Sequence, residues 1–256
     1  MLFYPAALDL SPSAREFVAD LVRRHRAELG SRWRRLPPGR QSLLVLVYLR
    51  RNETFARLAA EFGAGVATAH RYVTEVIDLL AELAPDLRQA LRTALRKAYV
   101  VLDGTLAPTD RLSAAGDRLY YSGKHRRHGV NMQFLTDPHG ELIWASPALP
   151  DSVHDLTAAR QHGIVDGLTF WAIAGYAAKG YQGAGGAIGT PYKRKKGRKP
   201  GKRKKLFNRY HAKVRAVGER GHGTSSVTAN AGGTAGPRAR LRQRCVRFRS
   251  APPPRL

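Results

Sequence analysis

The stretch Tyr99-Val-Val-Leu-Asp103-Gly-Thr105 constrains the fold more than any other part of the chain. Three apolar residues, two of them β-branched, lead into an acid and a glycine, the pattern of a buried strand that ends in a carboxylate. A strand end is rigid, so a carboxylate there is held in one place, as a metal ligand has to be. Alone, the same residues also describe an ordinary strand-end Asp that opens a turn. The flanking sequence decides between the two.

Upstream, apolar residues recur at helical spacing from Leu10 to about Leu83. Ser11-Pro12 supplies an N-cap and a first-turn proline ahead of Phe17, Val18, Leu21 and Val22. Pro37-Pro38 closes that unit, and Gln41 to Leu49, apolar nearly all round, is expected at the buried centre of a small trihelical bundle. Phe55 to Phe62 then reads as a short amphipathic helix, Gly63-Ala-Gly65 as a tight turn, and Val66, Val73, Val76, Ile77 and Leu80 as one face of a second helix. This is the helix-turn-helix pattern, although a plain helical hairpin shares it. The outward face of the second helix carries Thr68, His70 and Arg71, which are able to reach phosphates or base edges.

After Pro85 a basic helix, Leu87 to Lys97, leads into the Asp103 strand, and the period changes from helical to alternating. Tyr120 to Asp137 and Glu141 to Ser146, joined at Pro138-His-Gly140, read as two antiparallel strands expected beside the Asp103 strand. Ser152-Val-His-Asp155 precedes an amphipathic helix running to about His162, and Asp155 is expected to cap it or orient a neighbour. Thr169 to Ala174 is a further apolar strand candidate. Strand, hairpin, helix, strand and helix in that order predict an α/β fold with a ribonuclease H-like core behind an N-terminal helical helix-turn-helix domain.

Charge narrows the partner. Lys and Arg number 44 against 19 Asp and Glu, a formal net charge of +25, which points to a polyanion, nucleic acid before anionic membrane. No apolar run reaches the roughly 18 residues of a membrane span. The N-terminus lacks a signal-peptide pattern, so the expected location is cytoplasmic, with no membrane partner. Cys245 is the single cysteine, which excludes an internal disulfide framework and a multi-cysteine zinc site. Between Lys193 and Lys205 ten of thirteen residues are basic, a loop expected to be disordered without a partner and to neutralise phosphates through Lys193, Arg194, Lys195 and Lys196. Leu206 to Glu219 returns to helical spacing and presents Glu219 near its end. From Arg220 to Leu256 no Lys, Asp or Glu remains, and eight Arg stand among Gly, Ala, Ser and Pro. That composition reads as a disordered basic C-terminal tail, and also as the text a GC-rich gene gives when translated out of frame.

Five ordered motifs carry a family resemblance. Val101-Leu-Asp103-Gly-Thr105, Tyr121-Ser-Gly-Lys-His-Arg-Arg-His-Gly-Val-Asn131, Ser152-Val-His-Asp155-Leu, Lys179-Gly-Tyr-Gln-Gly183 and Gly218-Glu219-Arg220 resemble the DDE transposases of bacterial insertion sequences, in the group related to Harbinger-type endonucleases. The resemblance spans roughly residues 10 to 220. It implies a ribonuclease H-like core in which two Asp and one Glu hold divalent ions, Mg²⁺ or Mn²⁺, for in-line attack on a DNA phosphodiester. On that pattern Asp103 takes the first catalytic and metal-binding position and Glu219 the third. The second position departs from the family. Where the family has Asp-Lys-Gly-Tyr-Gln-Gly, this chain has Ala178-Lys-Gly-Tyr-Gln-Gly183, and Ala178 has no oxygen to give a metal. Between Asp166 and Glu219 there is no carboxylate side chain at all.

The implied organisation is a helix-turn-helix DNA-binding domain over residues 1–85, a connecting helix over 86–97, the endonuclease domain over 98–219 with its basic loop at 193–205, and a disordered or frameshifted tail over 220–256. Double-stranded DNA and transposon ends are the implied partners, and a homodimer is compatible with them. Lys124, Arg126 and Arg127, close behind the first strand, are expected on the DNA backbone, while His125 and His128 lack the further ligands of a zinc site. Family analogy assigns Tyr181 and Gln182 to end nucleotides, though Tyr181 suits a core equally well. The expected function is that of an insertion-sequence transposase, in a copy with little or no activity because of Ala178. A non-catalytic DNA-binding protein derived from a transposase is the alternative.

Overall fold

The hydroxyl of Ser11 accepts the backbone N–H of Ala14, and Pro12 opens helix α1 (Pro12–Glu28), as the sequence predicts. The computed structural model describes residues 11–31, 34–108, 120–122, 126–193 and 201–226. The chain divides into two compact units, Met1–Leu83 and Ala84–Leu256.

In the first unit α1 is followed by α2 (Pro38–Arg51), α3 (Phe55–Phe62) and α4 (Val66–Glu82), each at a segment where the sequence predicts a helix. Leu44, Val45, Leu46 and Val47 of α2 are buried, which fits a helix that is apolar nearly all round. The buried Gln41 donates to Glu75 and accepts from Arg26, so its amide does not go unsatisfied. Thr54 caps α3, and Gly63 ends it with a left-handed φ of 65°, a conformation that a side chain would disfavour. The short α3, this turn and α4 form the helix-turn-helix.

In the second unit a reciprocal capping box between Asp86 and Gln89 opens α5 (Leu87–Ala94). Strands β1 (Val100–Pro108), β2 (Tyr121–Ser122), β3 (Arg127–Thr136), β4 (Leu142–Ala145) and β5 (Leu149–Pro150) precede α6 (Asp155–Gln161) and α7 (Ile164–Phe170). Strand β6 (Gly175–Ala177), a 3₁₀ turn at Lys179–Tyr181, β7 (Ile188–Gly189) and α8 (Lys202–Ser226) complete it. The sheet runs β2-β3-β1-β6-β7, with β1 antiparallel to β3 and parallel to β6. β4, β5 and β2 follow one another along β3. This mixed sheet is consistent with a ribonuclease H-like core. Under it, Leu102, Leu135, Ile164, Leu168 and Tyr181 form the centre of the larger apolar cluster.

Two expectations change. The apolar run from Thr169 to Ala174 is not a strand, because Ile164, Val165 and Leu168 bury one face of a helix that begins after Gly163 and ends at Phe170. Ala172 then takes a left-handed φ of 51°, and the strand begins only at Gly175. The basic segment is also not loop throughout, since Lys202 to Lys205 form the first turn of α8. That helix continues to Ser226, which puts Glu219 inside it rather than near its end. The tail over 227–256 lies outside the described residues. Among the described residues no helix is long and apolar enough to cross a membrane.

The β3–β4 turn is held by Asp137. Its side chain accepts from Lys97 at 2.8 Å and from the backbone N–H groups of His139 and Glu141 at 2.8 and 2.9 Å. Burial alone would push this carboxyl up, but the Lys97 ammonium and the two N–H donors outweigh it and hold it below the usual Asp value. Such a group stabilises the fold above its unfolded value of about 3.9. The contribution is lost as pH falls through the lower folded value. Asp137→Asn is expected to cost roughly 1.5–3 kcal/mol at pH 7 and to flatten the loss of stability on acidification below about pH 4. Urea titrations across that range check both.

Candidate active site

Asp103 lies half-buried in β1. The parallel register pairs Val101 with Tyr176 and Leu102 with Ala177, so the next step along both strands sets Ala178 beside Asp103. Ala178 keeps extended backbone, with φ −67° and ψ 172°, and so prolongs the strand before the 3₁₀ turn. Tyr99, Val101 and Asp103 alternate onto one side of β1. On that side the Tyr99 ring meets Tyr176 at 5.2 Å, and Tyr176 meets His211 of α8 at 5.5 Å. Helix α8, which carries Glu219 in its backbone, therefore packs on the face that Asp103 shares.

Asp155 approaches β1 from the other side. A Cβ built on Gly104 would lie 2.6 Å from Asp155 Oδ1 and 2.8 Å from the Tyr181 hydroxyl, and one built on Gly180 would lie 2.9 Å from Asp155 Oδ2. Gly104 and Asp103 alternate, so Asp155 sits across the strand from the side chain of Asp103. It does not stand in for the oxygen that Ala178 lacks. Nor does it cap α6: the N-cap position is His154, and Asp155 turns its carboxylate to Asn131, whose Nδ2 donates at 2.9 Å.

A chain of hydrogen bonds leads to that carboxylate. Tyr181 donates its hydroxyl to Gln133 Oε1, Gln133 Nε2 donates to Asn131 Oδ1 at 2.7 Å, and Asn131 donates to Asp155. Burial, then the negative charges of Asp155 and Asp103, raise the Tyr181 hydroxyl well above its ordinary range, so it remains a donor. Sequence reasoning gave Asn131 and Gln133 no role. Their signal was two amides, two residues apart, on one face of an otherwise apolar strand. Tyr181 itself is fully buried, which removes it from contact with nucleotides, and Gln182 donates to the carbonyl of Pro191.

The other expected residues are scattered. In the helix-turn-helix Arg71 is exposed with its guanidinium 3.5 Å from Thr68 Oγ1, while His70 is half-buried and packs edge-on against Phe55 at 5.0 Å. Arg126 is exposed with a left-handed φ of 51°, Arg127 begins β3, and Lys193 is exposed. Lys124, Arg194, Lys195 and Lys196 lie outside the described residues.

Known proteins share both units. The profile described as DDE superfamily endonuclease matches residues 102–225, and that described as helix-turn-helix of DDE superfamily endonuclease matches residues 34–86. The chain belongs to the DDE endonuclease superfamily. This DDE superfamily member is also similar to a curated protein of Microchaete diplosiphon described as a probable transposase for insertion sequence element IS702, with 25% identity over 186 residues. The match takes in 70% of this chain, and the chain spans 66% of that relative's length. No solved structure matches it.

DDE endonucleases are typically metal-dependent, and their clamp needs several carboxylates converging on one point. Among the described residues no three His, Cys, Asp or Glu side chains come together in that way. Ala178, beside Asp103, offers only a methyl group, and the Asp155 carboxylate lies on the other side of the strand, so these described donors do not fit a two-metal site.

Close packing at Gly104 gives a direct check on this geometry. Gly104→Ala would press a methyl group against two polar atoms fixed by hydrogen bonds, and is expected to destabilise the second unit by about 1–3 kcal/mol. Chemical denaturation of this variant beside Gly39→Ala, where a Cβ would meet nothing within 4 Å, measures the difference.

Proposed function

We propose that the chain is an insertion-sequence transposase of the DDE class that retains DNA binding but has lost efficient DNA cleavage and strand transfer. The observation that carries this reading is Ala178, in register beside Asp103 at the position where the family motif has its second Asp. Asp103 and Glu219 are the surviving catalytic and metal-binding positions in this reading. One carboxylate fewer weakens the hold on Mg²⁺ or Mn²⁺ and removes the geometry that lets two ions stabilise the entering and leaving oxygens together.

Binding does not depend on that loss. The helix-turn-helix, with Thr68, His70 and Arg71 near the start of α4, would engage double-stranded DNA at transposon ends. Lys124, Arg126, Arg127 and the basic residues from Lys193 to Lys196 would add phosphate contacts, each of which steepens the dependence on salt. A DNA-binding protein derived from a transposase is therefore the biochemical form that this reading takes.

Incubation of the purified full chain with supercoiled plasmid and Mg²⁺ or Mn²⁺ tests the proposal. Nicking is expected to be no faster than in Asp103→Ala, and Ala178→Asp is expected to raise it. Loss of a direct ligand should cost more than the 10- to 100-fold typical of groups that merely orient ligands, so a partial restoration is measurable. Wild-type nicking that Asp103→Ala abolishes would overturn the reading.

A further inference from the structure

Helix α8 presents a row of rings and aliphatic carbon to solvent. Leu206, Phe207 and Tyr210 are 52%, 40% and 59% exposed, and Tyr192, on the segment that precedes the helix, is 47% exposed. The buried side borders this row at Phe207, whose ring lies 5.8 Å from that of His211, and His211 is 2% exposed and bonds to the Gly189 carbonyl at 3.1 Å. The row is held firmly. Asn208 accepts from the Tyr192 backbone N–H at 2.8 Å and donates to its carbonyl at 3.0 Å, and the Phe207 ring lies 5.1 Å from that of Tyr192.

Such a row would ordinarily be covered, and its surroundings say by what. Lys204 lies 5.3 Å over the Tyr192 ring and Lys213 lies 5.9 Å over that of Tyr210. From Gly201 to Val217 the chain holds five Lys or Arg besides these two and no acid. A second copy offering the same surface would bring cations against cations, which opposes self-association. A duplex would satisfy the cations but not the rings, because its base faces are already stacked. Rings interleaved with cations match unpaired nucleotides, whose bases stack while their phosphates pair with Lys and Arg.

We infer that the exposed face of α8, with Tyr192, is a stacking surface for single-stranded nucleic acid, in which Tyr210 and Phe207 receive bases. This deepens the DNA-binding reading above, on which it rests for the identity of the polyanion, by adding a strand-separated substrate to the duplex engaged by the helix-turn-helix. Tyr210 is the residue to test, since it is the most exposed of the rings in the row and carries little of the fold.

Fluorescence anisotropy with the full chain separates the two. The probes are a labelled oligothymidine of about 20 nucleotides and a duplex of equal length. Tyr210→Ala is expected to weaken oligothymidine binding roughly tenfold with the salt slope unchanged, because a stacking contact and no phosphate contact is lost. Duplex binding should hold, and Tyr210→Phe should keep the single-strand affinity. Equal loss on both probes, or loss on neither, would overturn the inference. A wild-type dimer that Tyr210→Ala disperses in sedimentation would do so too, since the face would then join two copies. Wild-type protein that binds neither probe would overturn the DNA-binding reading itself.

Discussion

The parallel pairing of β1 with β6 is the constraint on which the site depends. Three register pairs, Val100 with Gly175, Val101 with Tyr176 and Leu102 with Ala177, bring a residue from each of two distant stretches of chain to one sheet end. Parallel neighbours need a crossover, and α6 and α7 supply it, burying Ala158, Ala159, Ile164, Val165 and Leu168. β1 is locked on its other edge by the longer antiparallel pairing with β3. The strand that carries Asp103 is thus central and buried, which suits a fixed carboxylate. The same rigidity makes a substitution on the neighbouring strand hard to compensate.

Polar groups behind the strand show how tightly this region is specified. Asn131, Gln133 and Tyr181 are almost wholly buried, and each finds a partner in the chain of hydrogen bonds that ends at Asp155. An unmatched member would cost about 1–3 kcal/mol, so the network stands or falls as a unit. It also requires bare backbone at Gly104 and Gly180, where Asp155 comes too close for any side chain. Asp155 is accordingly spent on structure. Its negative charge remains near Asp103 without sharing the face on which Asp103 opens.

Much of this was legible in the sequence where local signals and tertiary packing agree. Ser11 with Pro12 and Gly63 each mark a helix end by its own chemistry, and the structure uses them in those places. The alternation from Val130 to Thr136 likewise predicts a strand beside β1, and β3 pairs there. The run from Thr169 to Ala174 misled because its apolar residues divide between the end of α7 and the lead into β6, and composition alone does not show where a helix hands over to a strand. The role of Asp155 was hidden for another reason. A Ser-Val-His-Asp sequence before a helix reads as a cap, and only the fold brings Asn131 to that carboxylate. Ala178 was visible as a departure from a motif, while its place beside Asp103 is a matter of strand register.

The central claim is that Ala178, beside Asp103 at the end of β6, has no oxygen to give a metal. Titration of the purified full chain with Mn²⁺, followed by the electron paramagnetic resonance signal of the free ion, reads this without any need for turnover. The account expects weak binding by the wild-type protein, affinity at least roughly tenfold higher in Ala178→Asp, and loss of that gain when Asp103→Ala is added, as ligands sharing one ion require. Tight wild-type binding that Asp103→Ala removes and Ala178→Asp leaves unchanged would contradict it.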